Sequence, residues 1–191
     1  DFFGEYAEPN NPQKNITNKR DASISDYKNY IEKGFKNDPE KRDVYMWKVG
    51  FVSDIIYNEG KLLSVMNNIE EDIGGVAGFG GLHYSVIDLE TGRKLTLKDI
   101  FVPAFDVVLN AKLIDKVRAW HDIEKIEDMA KAGFEMEMIV PNENFYINSE
   151  GIGFYYNAYE IYELETRAFF PFKDIRSVLR KESPISHLFN K

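Results

Sequence analysis

Five of the thirteen glycines in this chain fall within residues 74–81, and they run into a strand-like stretch instead of a helix. The segment is GGVAGFGGLHYSVIDLETGRKLTLKDIF, residues 74–101. A loop that cradles phosphate follows a strand and opens directly into a helix, with a GKT/S or GxGxxG spacing. Gly74, Gly75, Gly78, Gly80 and Gly81 have the reverse order and lead into the strand pattern of residues 82–89. They are therefore read as backbone turning at a strand start or bulge. Residues 88–93 make a tight turn with Gly92 where positive φ is needed, and residues 94–97 return as a short strand. Thr96 and Asp99 stand three apart, the spacing of a capping box, so a helical turn is expected from Leu97, with Phe101 thrown inward.

The flanking chain alternates between the two hydrophobic periods. Residues 1–22 are rich in Asn, Pro and Lys and lack periodicity, which reads as an arm or linker; docking of Phe2, Phe3 and Tyr6 would add an edge strand. A helix capped by Ser23 or Ser25 is expected next, burying Tyr27, Tyr30, Ile31 and Phe35, with NDPEKRD as the loop that ends it. Residues 44–57 switch to period two, with Tyr45, Trp47, Val49, Phe51, Ile55 and Tyr57 on one face. Asn58, Glu59 and Gly60 turn the chain, and residues 61–69 return as a hairpin partner.

Beyond Phe101, residues 103–120 predict an amphipathic helix striped by Phe105, Leu109, Leu113, Val117 and Trp120. A weaker acidic helix over 123–132 stops at Gly133. Strands are expected at 134–140, 144–148, 152–156 and 168–170, then a closing helix at 174–179 and a basic, frayed tail over 181–191. Strands paired through hairpins, with helices inserted between strand groups, make the chain α+β: a mainly antiparallel sheet with helices packed on it. The expected organisation is one domain over 23–180 between the arm and the tail.

Composition narrows function more by exclusion than by assignment. Fourteen Phe, eleven Tyr and two Trp suit an aromatic core on wide pleated surfaces. A net charge of -8 argues against phosphate backbones and anionic lipid as partners. Residues 122–165 hold eleven acidic and two basic side chains, whereas 167–191 hold six basic and two acidic. The bland account is a solvated acidic surface; the functional one is a docking face for a cationic partner, with Glu124, Glu127, Asp128, Glu160 and Glu163 as candidates. Absence of cysteine removes disulfides, thiolate catalysis and Cys-ligated zinc. No apolar run reaches the roughly 18 residues of a membrane span. The first residue is Asp1 and not Met, which reads either as a mature form or as a cut-back chain, and leaves room for a removed leader or lipid anchor.

No catalytic constellation stands out. His83 follows two glycines at a strand start and could reach a cleft, although a lone histidine is more often a hydrogen-bonded structural residue. His121 sits at a helix end and His187 in the tail, so no two histidines have metal-ligand spacing and neither a metal nor a cofactor is expected. Asp88, Asp99, Glu160, Glu163 and Glu165 could supply paired carboxylates for glycoside hydrolysis, though capping and solvation account for Asp99 and Glu165. Ser85 lacks a GxSxG elbow. Phe154 and Tyr156 read as core, while Tyr155, Tyr159 and Tyr162 stay open as a sugar-stacking platform.

Two stretches resemble the bacterial envelope family known as domain of unknown function 3298. They are GGLHYSVIDLETGRKLTLKDIF, residues 80–101, and FYINSEGIGFYYNAYEIYELETRAFFPFKDIRSVL, residues 145–179. Residues 162–167 are short, charged and glycine-free where the family usually has a glycine-containing loop, and Leu82 stands where a small Ala is usual. The resemblance implies an extracytoplasmic protein, secreted, lipid-anchored or periplasmic. Relatives include the extracellular part of a lysozyme-sensing anti-sigma factor and a module of a peptidoglycan deacetylase, whose metal-site motifs are absent here. The expectation is thus a noncatalytic binding or sensing module for a cationic protein such as lysozyme. The alternatives are a cell-wall glycan-binding module using His83 and the tyrosines, and a carbohydrate-active enzyme.

Overall fold

The strand buried at every position is Gly151–Tyr156, the middle of a three-stranded antiparallel sheet. The computed structural model describes residues 11–37, 46–72 and 78–190. Phe2, Phe3, Tyr6, residues 38–43 of the NDPEKRD loop, Tyr45, Gly74 and Gly75 lie outside the described residues. The chain divides into two compact units, Asp1–Gly50 with Glu70–Phe79, and Phe51–Ile69 with Gly80–Lys191.

In the first unit, helix α1 runs Pro12–Asn37, eleven residues earlier than the expected cap at Ser23. Asn11 supplies the reason: its side-chain oxygen accepts the Lys14 N–H at 3.1 Å, and Pro12 occupies the first helical position, where its missing N–H costs nothing. The arm composition of residues 12–22 is thus that of a solvated helix. Tyr27 and Tyr30 pack on Trp47, with ring centroids 5.7 and 5.4 Å apart.

The strands β1 (Lys48–Glu59), β2 (Leu62–Asp72), β3 (Phe79–Asp88) and β4 (Arg93–Lys94) form a sheet in that order. The expected hairpin turn sits at Gly60 and Lys61, both at positive φ. Only Tyr57 of the expected apolar face of β1 packs against the core; Ile55 is 66% exposed, and Val52 on the opposite face 55%. Gly92 closes the β3–β4 turn at φ 69°, its N–H donating to Asp88 O at 2.7 Å.

Helix α2 (Leu97–Ile100) starts where the Thr96 and Asp99 pair places it. The Asp99 carboxylate accepts both the backbone N–H and the hydroxyl of Thr96 at 2.8 Å, and Arg93 grips it from outside. Helix α3 (Phe105–Trp120) buries Leu109, Leu113 and Val117 against strand β7 (Thr166–Pro171). Trp120 was expected in that stripe but is half exposed, because the helix ends there and the Arg167 guanidinium lies 5.8 Å from its ring.

Strands β5 (Phe145–Ile147), β6 (Gly151–Tyr156) and β7 form the second sheet in the order β5-β6-β7. Ile152, Phe154 and Tyr156 join the main core, in keeping with their reading as core. The other face of β6 carries Gly151, Gly153 and Tyr155, and Tyr155 on this side packs on Tyr84 of β3. Tyr84 packs on Tyr146 and Tyr155, Ile147 N–H donates to the buried Ser64 hydroxyl, and Asn144 bridges the backbone of Leu82 and Tyr84.

Two further expectations are corrected. Residues 134–140 are not a strand: helix α4 (Ile126–Lys131) is followed by a 3-10 turn, Met136–Met138. Phe134 and Ile139 are buried while Met138 is exposed, so the alternation of apolar residues does not match the burial. The closing helix begins two residues earlier than expected, as α5 (Phe172–Ile175) running into a 3-10 turn, Arg176–Val178, and the described tail beyond it, up to residue 190, is not frayed. Helix α6 (Ser186–Phe189) buries Phe189 against Phe172, and Ile185 is fully enclosed. The α+β class is as expected.

Candidate functional site

The acidic stretch is gathered into one surface by an aromatic clasp at the end of α3. His121 follows the helix, and its Nε2 lies 2.7 Å from the hydroxyl of the fully buried Thr166. Its ring meets both Phe134 and Tyr162 edge-on at 5.0 Å, and those two stack on each other at 4.1 Å. The Glu135 N–H donates to Ile161 O at 2.9 Å. Residues 126–139 and 157–165, distant in sequence, are held side by side. Burial pushes the His121 pKa down, against the opposing pull of Asp122, so the clasp is built around a neutral imidazole.

Glu124 and Glu127 beside the clasp are exposed, as are Glu135, Glu137, Glu160 and Glu163. Asp128 is partly spent, since Lys131 reaches it at 2.9 Å. Glu160 accepts from Asn157 Nδ2 at 3.2 Å, and the Tyr162 hydroxyl donates weakly to Glu163 at 3.4 Å. Among these acids stand exposed apolar side chains: Met138 at 58%, Leu164 at 57% and Tyr159 at 85%. Tyr159 is held at φ 68°, its N–H donating to Tyr162 O at 2.6 Å, a left-handed conformation that a tyrosine adopts only under constraint.

The three candidate tyrosines do not form one platform. Tyr155 is 1% exposed beneath Tyr84 and Arg167, and its hydroxyl donates to Glu165 at 2.5 Å. Burial and that carboxylate raise its pKa far above the usual phenol value. Tyr162 spends its ring on Phe134, so of the three only Tyr159 offers a free face. His83 is exposed on β3, and strand alternation turns it away from Tyr84 and therefore from the tyrosine side of the sheet. Asp88, Asp99 and Glu165 are each held by turn, cap or tyrosine bonds.

Sequence reasoning missed His121 as the organiser of this surface, as well as Tyr146 and Phe169. The signal for the latter was available in the alternate glycines Gly151 and Gly153, over which the Phe169 and Tyr146 rings lie. Among the described residues no group of three or more His, Asp or Glu could hold a metal ion. No described helix is long and apolar enough to cross a membrane.

With this geometry in hand, the comparisons with known proteins are specific. Residues 98–162 match the family model described as "Protein of unknown function (DUF3298)". Over that segment the chain resembles DUF3298. The matched segment runs from α2 into the clasp loop and includes Glu124, Glu127, Glu135, Glu137 and Glu160, while Glu163 lies just beyond it. A DUF3298 family protein from Bacteroides fragilis shares the fold with a TM-score of 0.82 at 24% identity, covering 94% of this chain and 74% of that one. A DUF3298 family protein from Pseudomonas aeruginosa is similar with a TM-score of 0.57 at 16% identity, covering 78% and 68%. No curated protein matches the chain. These structural likenesses carry the fold and leave function to the surface itself.

Proposed function

We propose that this chain is a noncatalytic, extracytoplasmic binding module that docks a cationic protein, such as a lysozyme, on the surface built around the His121 clasp. The observation that carries the reading is the joining of residues 126–139 to 157–165, two segments that between them carry the exposed Glu127, Glu135, Glu137, Glu160 and Glu163 and the exposed ring of Tyr159. Charge of one sign steers a cationic partner in, and an exposed aromatic side chain among such charges is a common anchor of a protein interface. The Tyr159 backbone is already constrained at positive φ, so the cost of binding is confined to ordering its side chain.

Calorimetric titration of the chain with a cationic lysozyme, at low and then physiological salt, tests the proposal. Saturable binding that survives physiological salt and is weakened by Tyr159→Ala supports it. Absence of heat at both salts, matched by a second binding assay, removes it and turns the search to cell-wall glycans.

A further inference from the structure

At the other kind of loop in the larger unit, two hairpin turns and the C-terminal segment enclose a cleft of about 540 Å³, within the size range of small-molecule sites. Lys61 from the β1–β2 turn and Asp88 and Glu90 from the β3–β4 turn line one side, and the turns are tied by the Leu89 N–H donating to Lys61 O at 2.8 Å. Glu182, Ser183 and His187 line the other. The His187 ring lies over Gly60, where a Cβ would sit 2.5 Å from its Nε2 and the ring would have to shift, and Gly60 is at φ 59°, a conformation that favours glycine.

Lys61 pairs with Glu90, which leaves the carboxylates of Asp88 and Glu182 in excess. Asp88 is fixed in place, accepting the Glu90 N–H at 2.9 Å and the Thr91 hydroxyl at 2.8 Å, bonds that hold its pKa below the usual carboxylate range. Ser183 is 4% exposed, and its hydroxyl has no hydrogen-bond partner among the described residues, an arrangement that costs stability unless something else meets it. The acids do not converge as metal ligands would.

We propose that this cleft binds a small organic ammonium compound bearing hydroxyl groups, of the amino-sugar class, with Asp88 and Glu182 facing the ammonium and His187 and Ser183 serving the hydroxyls. The surplus of carboxylate over lysine selects the cation, and the imidazole and hydroxyl on the same wall select a polyhydroxylated frame over a bare alkylamine. This site is independent of the acidic docking surface.

The test is titration of the whole chain with glucosamine, followed by NMR shifts and calorimetry, alongside N-acetylglucosamine, which keeps the ring and hydroxyls but loses the charge. The expected result is saturable glucosamine binding by about 10 mM, and binding of the acetylated sugar or of glucosamine to Glu182→Gln weaker by about tenfold. Ser183→Ala is expected to weaken binding without lowering the melting temperature, which separates a ligand-facing hydroxyl from a structural one. Equal binding of the two sugars, an unaffected Glu182→Gln, or no saturable binding in that range overturns the proposal.

Discussion

Adding one methyl group at Gly151 is expected to do more damage than adding one at Gly153, two residues along the same strand. At Gly151 the new Cβ would run into the carbonyl of Phe170 and lie 2.9 Å from the Phe169 ring. That carbonyl belongs to the β6–β7 ladder, in which Gly151 faces Pro171 and Ile152 faces Phe170, so it cannot yield without breaking register. At Gly153 the obstacle is the Tyr146 ring, which is half-buried and can swing toward solvent at the expense of its contacts with Tyr84 and Phe169. Overpacking costs about 1–3 kcal/mol, and a lost ladder bond about 1 more. The stiffer unfolded chain of an alanine variant returns about 0.5 kcal/mol in both cases. Gly151→Ala should therefore lose about 2–3 kcal/mol, and Gly153→Ala about 1–2, mainly the aromatic contacts. For a chain of this size each kcal/mol lowers the melting temperature by about 2–4 °C. Urea unfolding followed by tryptophan fluorescence, with melting scans beside it, gives both numbers. A Gly151→Ala protein as stable as the wild type, or more stable than Gly153→Ala, would refute the packing described for β6.

Three further outcomes are expected. Asp99→Ala removes the α2 cap and should cost about 1 kcal/mol, the exposed partner Arg93 adding little; because Asp99 is held ionised, the difference from wild type should shrink as pH falls below about 4, read by denaturant midpoints. His121 is favoured neutral in the fold, so the unfolded chain takes up the proton first and stability should fall as pH drops through about 6.5. His121→Gln should flatten that slope between neutral and mildly acidic pH, and an unchanged slope would put the titration elsewhere. Gly92→Ala meets nothing within 4 Å but must adopt φ 69°, so it should cost about 1 kcal/mol by urea unfolding.

Local signals were legible in the sequence where one residue type answers one backbone demand. The Thr96 and Asp99 spacing, Gly92 and the Leu109, Leu113, Val117 stripe all appear as read. The N-terminal half of α1 was hidden because its cap, Asn11 followed by Pro12, looks like loop composition until the Lys14 N–H is seen to need an acceptor. Residues 134–140 misled because period two holds for Phe134, Met136 and Met138, whereas long-range bonding to Ile161 decides which of them is buried. In the tail, the apolar spacing of Ile185, Leu188 and Phe189 outweighs the basic charge that suggested fraying. The acidic surface was half legible: its charge is in the composition, but its assembly depends on His121, Phe134 and Tyr162 meeting across more than forty residues of sequence.

On the proposed reading, the glutamates near the clasp bring a cationic protein to this surface. The most direct test is the association rate of a cationic lysozyme with the wild type and with a Glu127→Lys, Glu160→Lys, Glu163→Lys variant, measured by stopped flow across a series of salt concentrations. The claim requires the variant to associate at least about tenfold more slowly at low salt, with the gap closing as salt rises. Equal rates at low salt would contradict it.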